Sequence, residues 1–167
     1  MDRLRAMFGA LGFAEVETFI ASGNVIFSAP GDEGGALERD IEQHLRRELG
    51  YEVTTLVRST AELGAIAAHR PFAAFDADST GYTESVGLLR AAPDSAARRA
   101  VAELQTPTDE FHLHDREIYW LCRTRVSDTR ITGPMLERAL GMPTTMRNMT
   151  TIRKLVAKYP AIPVERD

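Results

Sequence analysis

The segment from Thr144 to Lys154 gathers Arg147, Asn148, Thr150, Thr151 and Lys154, side chains that together could ring a single anion. The first N–H groups of a helix have no intrahelical partner, and the helix dipole favours negative charge beside them. A helix opening at Thr150 or Thr151 would aim those donors at a phosphate or carboxylate, with Arg147 and Lys154 adding charge. Arg130 joins the set if its loop folds back. The plainer alternative is that one threonine caps the helix, Asn148 holds the preceding turn and Arg147 meets an acidic neighbour.

Other candidates carry less. Ser22, Gly23 and Asn24 would add to an anion site only by facing that segment, and hairpin chemistry alone explains them. His112 and His114 share one face of a strand at i, i+2 spacing, yet a usable metal site wants a third or fourth ligand and the sequence shows none. No metal is therefore assigned, and His44 and His69 read as structural. Cys122 lies near Arg123 and Arg125, which could lower a thiol pKa, but no histidine is fixed beside it and a buried apolar role is commoner. No Walker or dinucleotide-type glycine loop is present, so no cofactor and no catalytic residue is assigned.

The elements that must position these residues follow from periodicity. Leu4, Met7, Phe8 and Leu11 predict a helix stopped by Gly12. Val16–Ala21 and Val25–Ser28 predict a hairpin turning on Ser22-Gly23-Asn24. Leu37, Ile41, Leu45 and Leu49 mark a second helix ending at Gly50, and Val53–Val57 reads as a strand. Ser59 and Glu62 form a capping box for a helix that must stop before Pro71. Residues 73–81 are polar and turn-rich, and a linker is expected there between a first subdomain, 1–72, and a second, 82–167.

The second part offers a strand at Ser85–Leu89, a helix at Pro93–Leu104, and a hairpin of Glu110–His114 and Glu117–Cys122 turning at Asp115 and Arg116. Helices at Met135–Leu140 and Ile152–Tyr159 complete it, the last capped by Thr150 or Thr151. The expected class is α+β, two consecutive subdomains of split βαβ (ferredoxin-like) character. The first lacks its opening strand, which points to a shortened chain.

Composition narrows the function. With 167 residues, 44% apolar and 26% charged, the chain can bury a core without disulfides or structural metal. The single cysteine and the lack of a long apolar run fit a cytoplasmic, non-membrane protein. Nine basic residues and three acids between Arg116 and Lys158 give +6, which leaves −10 for the rest of a chain whose formal charge is −4. The asymmetry suggests a small anionic ligand for the basic stretch, whereas internal pairing with the acidic remainder is the plain alternative.

Three stretches carry a resemblance: Leu4-Arg5 through Leu11-Gly12-Phe13, Thr18-Phe19-Ile20-Ala21-Ser22-Gly23-Asn24-Val25, and Leu136 to Gly141 with Thr145 to Leu155. The chain resembles the bacterial domain-of-unknown-function family 1697. The resemblance implies an α+β fold of two subdomains with no established activity, and an opening strand and glycine loop that this chain lacks. Ala21 and Met149 depart from the family's usual glutamine and tryptophan. The leading expectation is a bacterial cytoplasmic protein of unknown function that binds a small anionic metabolite at the start of the last helix. A nucleic-acid-binding module is the alternative, disfavoured by the acidic charge and 7% aromatic content. An assembly module using a sheet edge is a third possibility. The oligomeric state is not legible.

Overall fold

A computed structural model describes residues 2–20, 23–30, 34–72 and 81–161. Its contacts divide the chain into two compact units, Met1–Val57 and Arg58–Asp167. The expected linker at 73–81 lies almost wholly outside the described residues. The helix that sequence order groups with the first part falls instead in the second unit, where it packs against the last helix.

In the first unit, α1 (Asp2–Ala10) and α2 (Gly34–Leu49) flank a two-stranded antiparallel sheet of β1 (Ala14–Phe19) and β2 (Asn24–Ser28). Met7 and Phe8 of α1 and Ile41 and Leu45 of α2 bury the apolar stripes read from their spacing, with Phe13 and Phe27 stacked at 4.5 Å against them. Gly23 takes a left-handed φ of 74° in the turn, and Asn24 Nδ2 donates to Phe19 O at 3.1 Å. Ser22 lies outside the described residues.

The expected strand at Val53–Val57 is not part of a sheet. Its N–H groups at Thr55 and Val57 donate to the carboxylates of Glu42 and Glu38, each at 2.8 Å. Those two acids sit one turn apart on α2, so the helix supplies acceptors that a neighbouring strand would otherwise provide. This is why Glu38 is only 1% exposed without being an uncompensated buried charge.

In the second unit α3 (Thr60–Ala68) precedes β3 (Thr83–Leu88), α4 (Ser95–Ala102), β4 (Asp109–His114), β5 (Glu117–Cys122), α5 (Gly133–Leu140), β6 (Thr145–Asn148) and α6 (Met149–Lys158). The antiparallel sheet runs β4-β5-β3-β6, the complete split βαβ arrangement. Strand alternation separates two faces. Leu89, Phe111, Ile118, Trp120 and Cys122 meet Leu136 and Leu140 of α5 and Val101 of α4 in one apolar core.

The opposite face is more polar. Glu110, His112 and His114 of β4 and Glu117, Tyr119 and Leu121 of β5 alternate with the core residues, and α6 packs on β3. β6 is a strand the sequence reading missed, being only four residues long; it begins at Thr145, whose Cα pairs with Leu88. It ends at the residue that starts the last helix. Asn148, not Thr150 or Thr151, is the N-cap: its side chain accepts from Thr150 N at 2.8 Å.

Candidate functional site

The expected anion segment is tied into the fold more tightly than its composition suggests. Arg147 lies on β6 opposite Val86, half-buried, and its Nη1 donates to Met146 O at 2.9 Å. Burial lowers its pKa. The Asn148 carboxamide already occupies one of the helix-start donors, the role an anion would have filled. Thr150 and Lys154 are exposed and Thr151 is half-buried. Arg130 is exposed in the loop ahead of α5, and no hydrogen bond or ion pair among the described residues joins it to this segment.

A different constellation forms on the polar face. Ser59 caps α3 and Glu62 returns the bond to the Ser59 N–H at 2.7 Å, the reciprocal box read from the sequence. At the other end His69 is the C-cap, its N–H on Ala65 O, two residues ahead of Pro71. That geometry lays the His69 ring over β4 and β5. Its centroid is 4.2 Å from His114 in a near-parallel stack, 5.3 Å from His112 and 4.9 Å from Tyr119. One ring nitrogen from each of the three histidines lies within 4.8 Å of the other two.

His69 was read as structural and is the third imidazole that the His112–His114 pair lacked. Its position at the end of a helix whose stop is set by Pro71 is legible in the sequence. Its approach to β4 depends on packing across the sheet. Its Nε2 is enclosed and has no hydrogen-bond partner among the described residues. Burial first, then the neighbouring His114 and His112, pushes its pKa below the usual histidine range, while Asp115 opposes.

Beside this cluster opens a cleft of about 540 Å³ between α3 and the β4–β5 hairpin. Glu62, Ile66 and His69 line one wall, and His114, Arg116, Glu117 and Tyr119 the other. Glu117 accepts a 2.9 Å bond from Arg58, and Arg116 pairs with Glu62. Burial raises Glu62, but the Ser59 N–H and the Arg116 guanidinium outweigh it and hold the carboxyl below its ordinary value. Burial, with the charges of Glu117 and Glu84, pushes the Tyr119 phenol well above its usual range, so it stays a neutral hydroxyl. Cys122 is buried, its thiol donating to Thr124 O at 3.2 Å, and burial raises its pKa, which disfavours the thiolate.

The chain matches the model of the family described as "Protein of unknown function (DUF1697)" over residues 1–119, and it belongs to that family. Among solved structures it is similar to a conserved bacterial protein from Streptococcus pneumoniae, with a TM-score of 0.70 and 21% identity, covering 95% of this chain and 87% of the other. That likeness shows a shared fold. No curated protein matches the chain. Among the described residues, no helix is long and apolar enough to cross a membrane.

Proposed function

We propose that this chain is a small-ligand-binding protein whose ligand, a cation, sits in the cleft between α3 and the β4–β5 hairpin. The observation that carries this reading is the lining: Arg116 pairs with Glu62 and Arg58 with Glu117, and Asp115 adds a third carboxylate beyond these two pairs, around about 540 Å³. A concave site with a few converging polar groups is a common form of ligand pocket, and the one-charge excess at Asp115 favours a positive ligand. Amide NMR titration of the full chain with a panel of small primary amines, diamines and Zn²⁺ tests it. Shifts centred on Ala65, His69 and Arg116 are expected, and an undisturbed cleft across the panel would overturn it.

The second reading is a small anion at the start of α6. The half-buried Arg147 favours it, because a partly desolvated guanidinium binds an oxyanion more strongly than a solvated one. Titration with inorganic phosphate separates the two, since shifts would then centre on Thr150 to Lys154. A nucleic-acid surface has less support, because α4 and α5 cover one face of the four-stranded sheet and α6 packs on β3. The lone, buried Cys122 supports a reducing, cytoplasmic setting.

A further inference from the structure

We infer that His69, His112 and His114 together hold one divalent transition-metal ion of the zinc or cobalt class at the rim of the cleft. The inference rests on the cleft reading and deepens it by naming the cation.

The donor set decides the class of ion. Three imidazoles and no carboxylate ligand suit zinc, cobalt, nickel or copper, whereas magnesium and calcium require oxygen. With metal–nitrogen bonds of about 2.1 Å, a tetrahedral shell spaces its nitrogens roughly 3.4 Å apart. The ring nitrogens here already lie within 4.8 Å of one another. His112 and His114 are exposed and can close the difference by turning about χ2, which would also open the His69–His114 stack. His69 is the fixed member, held as the helix cap and against Tyr119.

Two further observations point to a ligand at this place. The enclosed Nε2 of His69 has no partner among the described residues, an arrangement that costs free energy unless something binds it. His69 also closes the C-terminal end of α3, where the helix dipole favours a positive charge. Asp115, held at φ 47° in the hairpin turn, places Oδ2 at 3.4 Å from His114 Nε2. A carboxylate on one imidazole nitrogen orients the ring and leaves the other, Nδ1, for the metal. Three protein ligands leave a fourth position for water or a small molecule, and the cleft adjoins it.

The test uses tag-free, metal-stripped full chain at pH 7.5, titrated with Co²⁺ and followed by visible absorption, with Zn²⁺ measured by competition. One Co²⁺ per chain is expected, with the intense d–d bands of a four- or five-coordinate nitrogen-ligated ion, and Mg²⁺ should not compete. His112→Ala and His114→Ala should each weaken binding by about 100-fold or more, and Asp115→Asn by about tenfold. Both histidines are exposed, so equal metal-free melting of these variants shows that the fold is retained. Absence of Co²⁺ bands, or bands that survive the His112→Ala/His114→Ala double variant, would overturn the inference and leave a stacked imidazole cluster only. If Co²⁺ fails while amines still shift the Ala65–His69 amides, the metal inference falls and the cleft reading stands. If neither binds, both fall.

Discussion

Arg58 Nε donates to Glu117 Oε1 at 2.9 Å, and the two side chains are 2% and 9% exposed, so a full ion pair is nearly closed off from solvent at the cleft wall. The same guanidinium reaches Leu89 O at 2.8 Å and Arg116 O at 3.0 Å. It therefore links the start of the second unit to the end of β3 and to the β4–β5 turn. Arg58→Ala strands a buried carboxylate and two carbonyls, and should cost about 3–5 kcal/mol in chemical denaturation. Replacing the pair together, Arg58→Met with Glu117→Leu, should recover a large part of that loss. A loss below about 1 kcal/mol for Arg58→Ala would show that water reaches the pair.

The histidine cluster makes a pH prediction that needs no metal. Because the folded pKa of His69 is lowered by burial and by its two imidazole neighbours, the unfolded chain binds a proton more readily than the folded one. The stability gained from keeping His69 neutral is complete above the unfolded value, about 6.5, and is lost as pH falls toward and through the lowered folded value. Unfolding free energy measured from pH 7.5 down to pH 5 should therefore decline. His69→Gln should flatten that decline, and a variant that tracks the parent across the range would exclude His69 as its source.

The start of α6 is set by Asn148, and the helix should be sensitive there alone. Asn148→Ala removes the acceptor for Thr150 N and should destabilise by about 1 kcal/mol. Thr150→Ala and Thr151→Ala should stay within about 0.5 kcal/mol of the parent. A reversed order in thermal or urea denaturation would return the cap to a threonine.

These results mark what the sequence made legible. Helix stripes such as Leu37, Ile41, Leu45 and Leu49, the Ser59–Glu62 box and the two hairpins are local, so spacing alone located them. The strand, helix, hairpin, helix order of the second unit was likewise readable, without its closing strand, and so was the family. Val53–Val57 failed because its strand-like composition meets the carboxylates of Glu38 and Glu42 rather than another strand, a contact made across the unit's fold. β6 failed because four residues running directly into a helix give no period. The histidine cluster was half legible: His112 and His114 declare a shared face, but His69 reaches them only through the packing of α3 over the sheet.

Gly87 sits in β3 where no side chain fits. A Cβ there would come within 2.6 Å of Thr144 Oγ1 and 2.7 Å of both Ile118 Cγ2 and Met146 Sδ. Thr144 is held on both sides, its hydroxyl donating to Leu88 O and its N–H to Glu137 Oε1, each at 3.1 Å. The neighbours therefore have little room to yield. Gly87→Ala should cost about 1–3 kcal/mol, against the small gain in unfolded-state entropy that such a change usually brings. A neutral result in urea denaturation would mean that β6 can move away from β3.

Asp109 carries the last prediction. Trp120 Nε1 donates to its Oδ1 at 3.0 Å, the Thr129 hydroxyl meets both oxygens at 2.9 Å, and Thr106 and Thr108 reach Oδ2 at 2.9 and 3.0 Å. Burial alone would raise its pKa, but these four donors outweigh burial and hold the carboxyl below its ordinary value. A carboxylate with a lowered folded pKa stabilises the fold at neutral pH and ceases to do so as pH falls from about 4 through the folded value. Asp109→Asn replaces one acceptor with a donor, so two of the hydroxyls must turn, and the variant should lose about 1–3 kcal/mol at pH 7. Because the variant has nothing to protonate there, its deficit against the parent should shrink as the pH is taken down to 3. A deficit that stays constant over that range would show that shape and not charge is what the site requires.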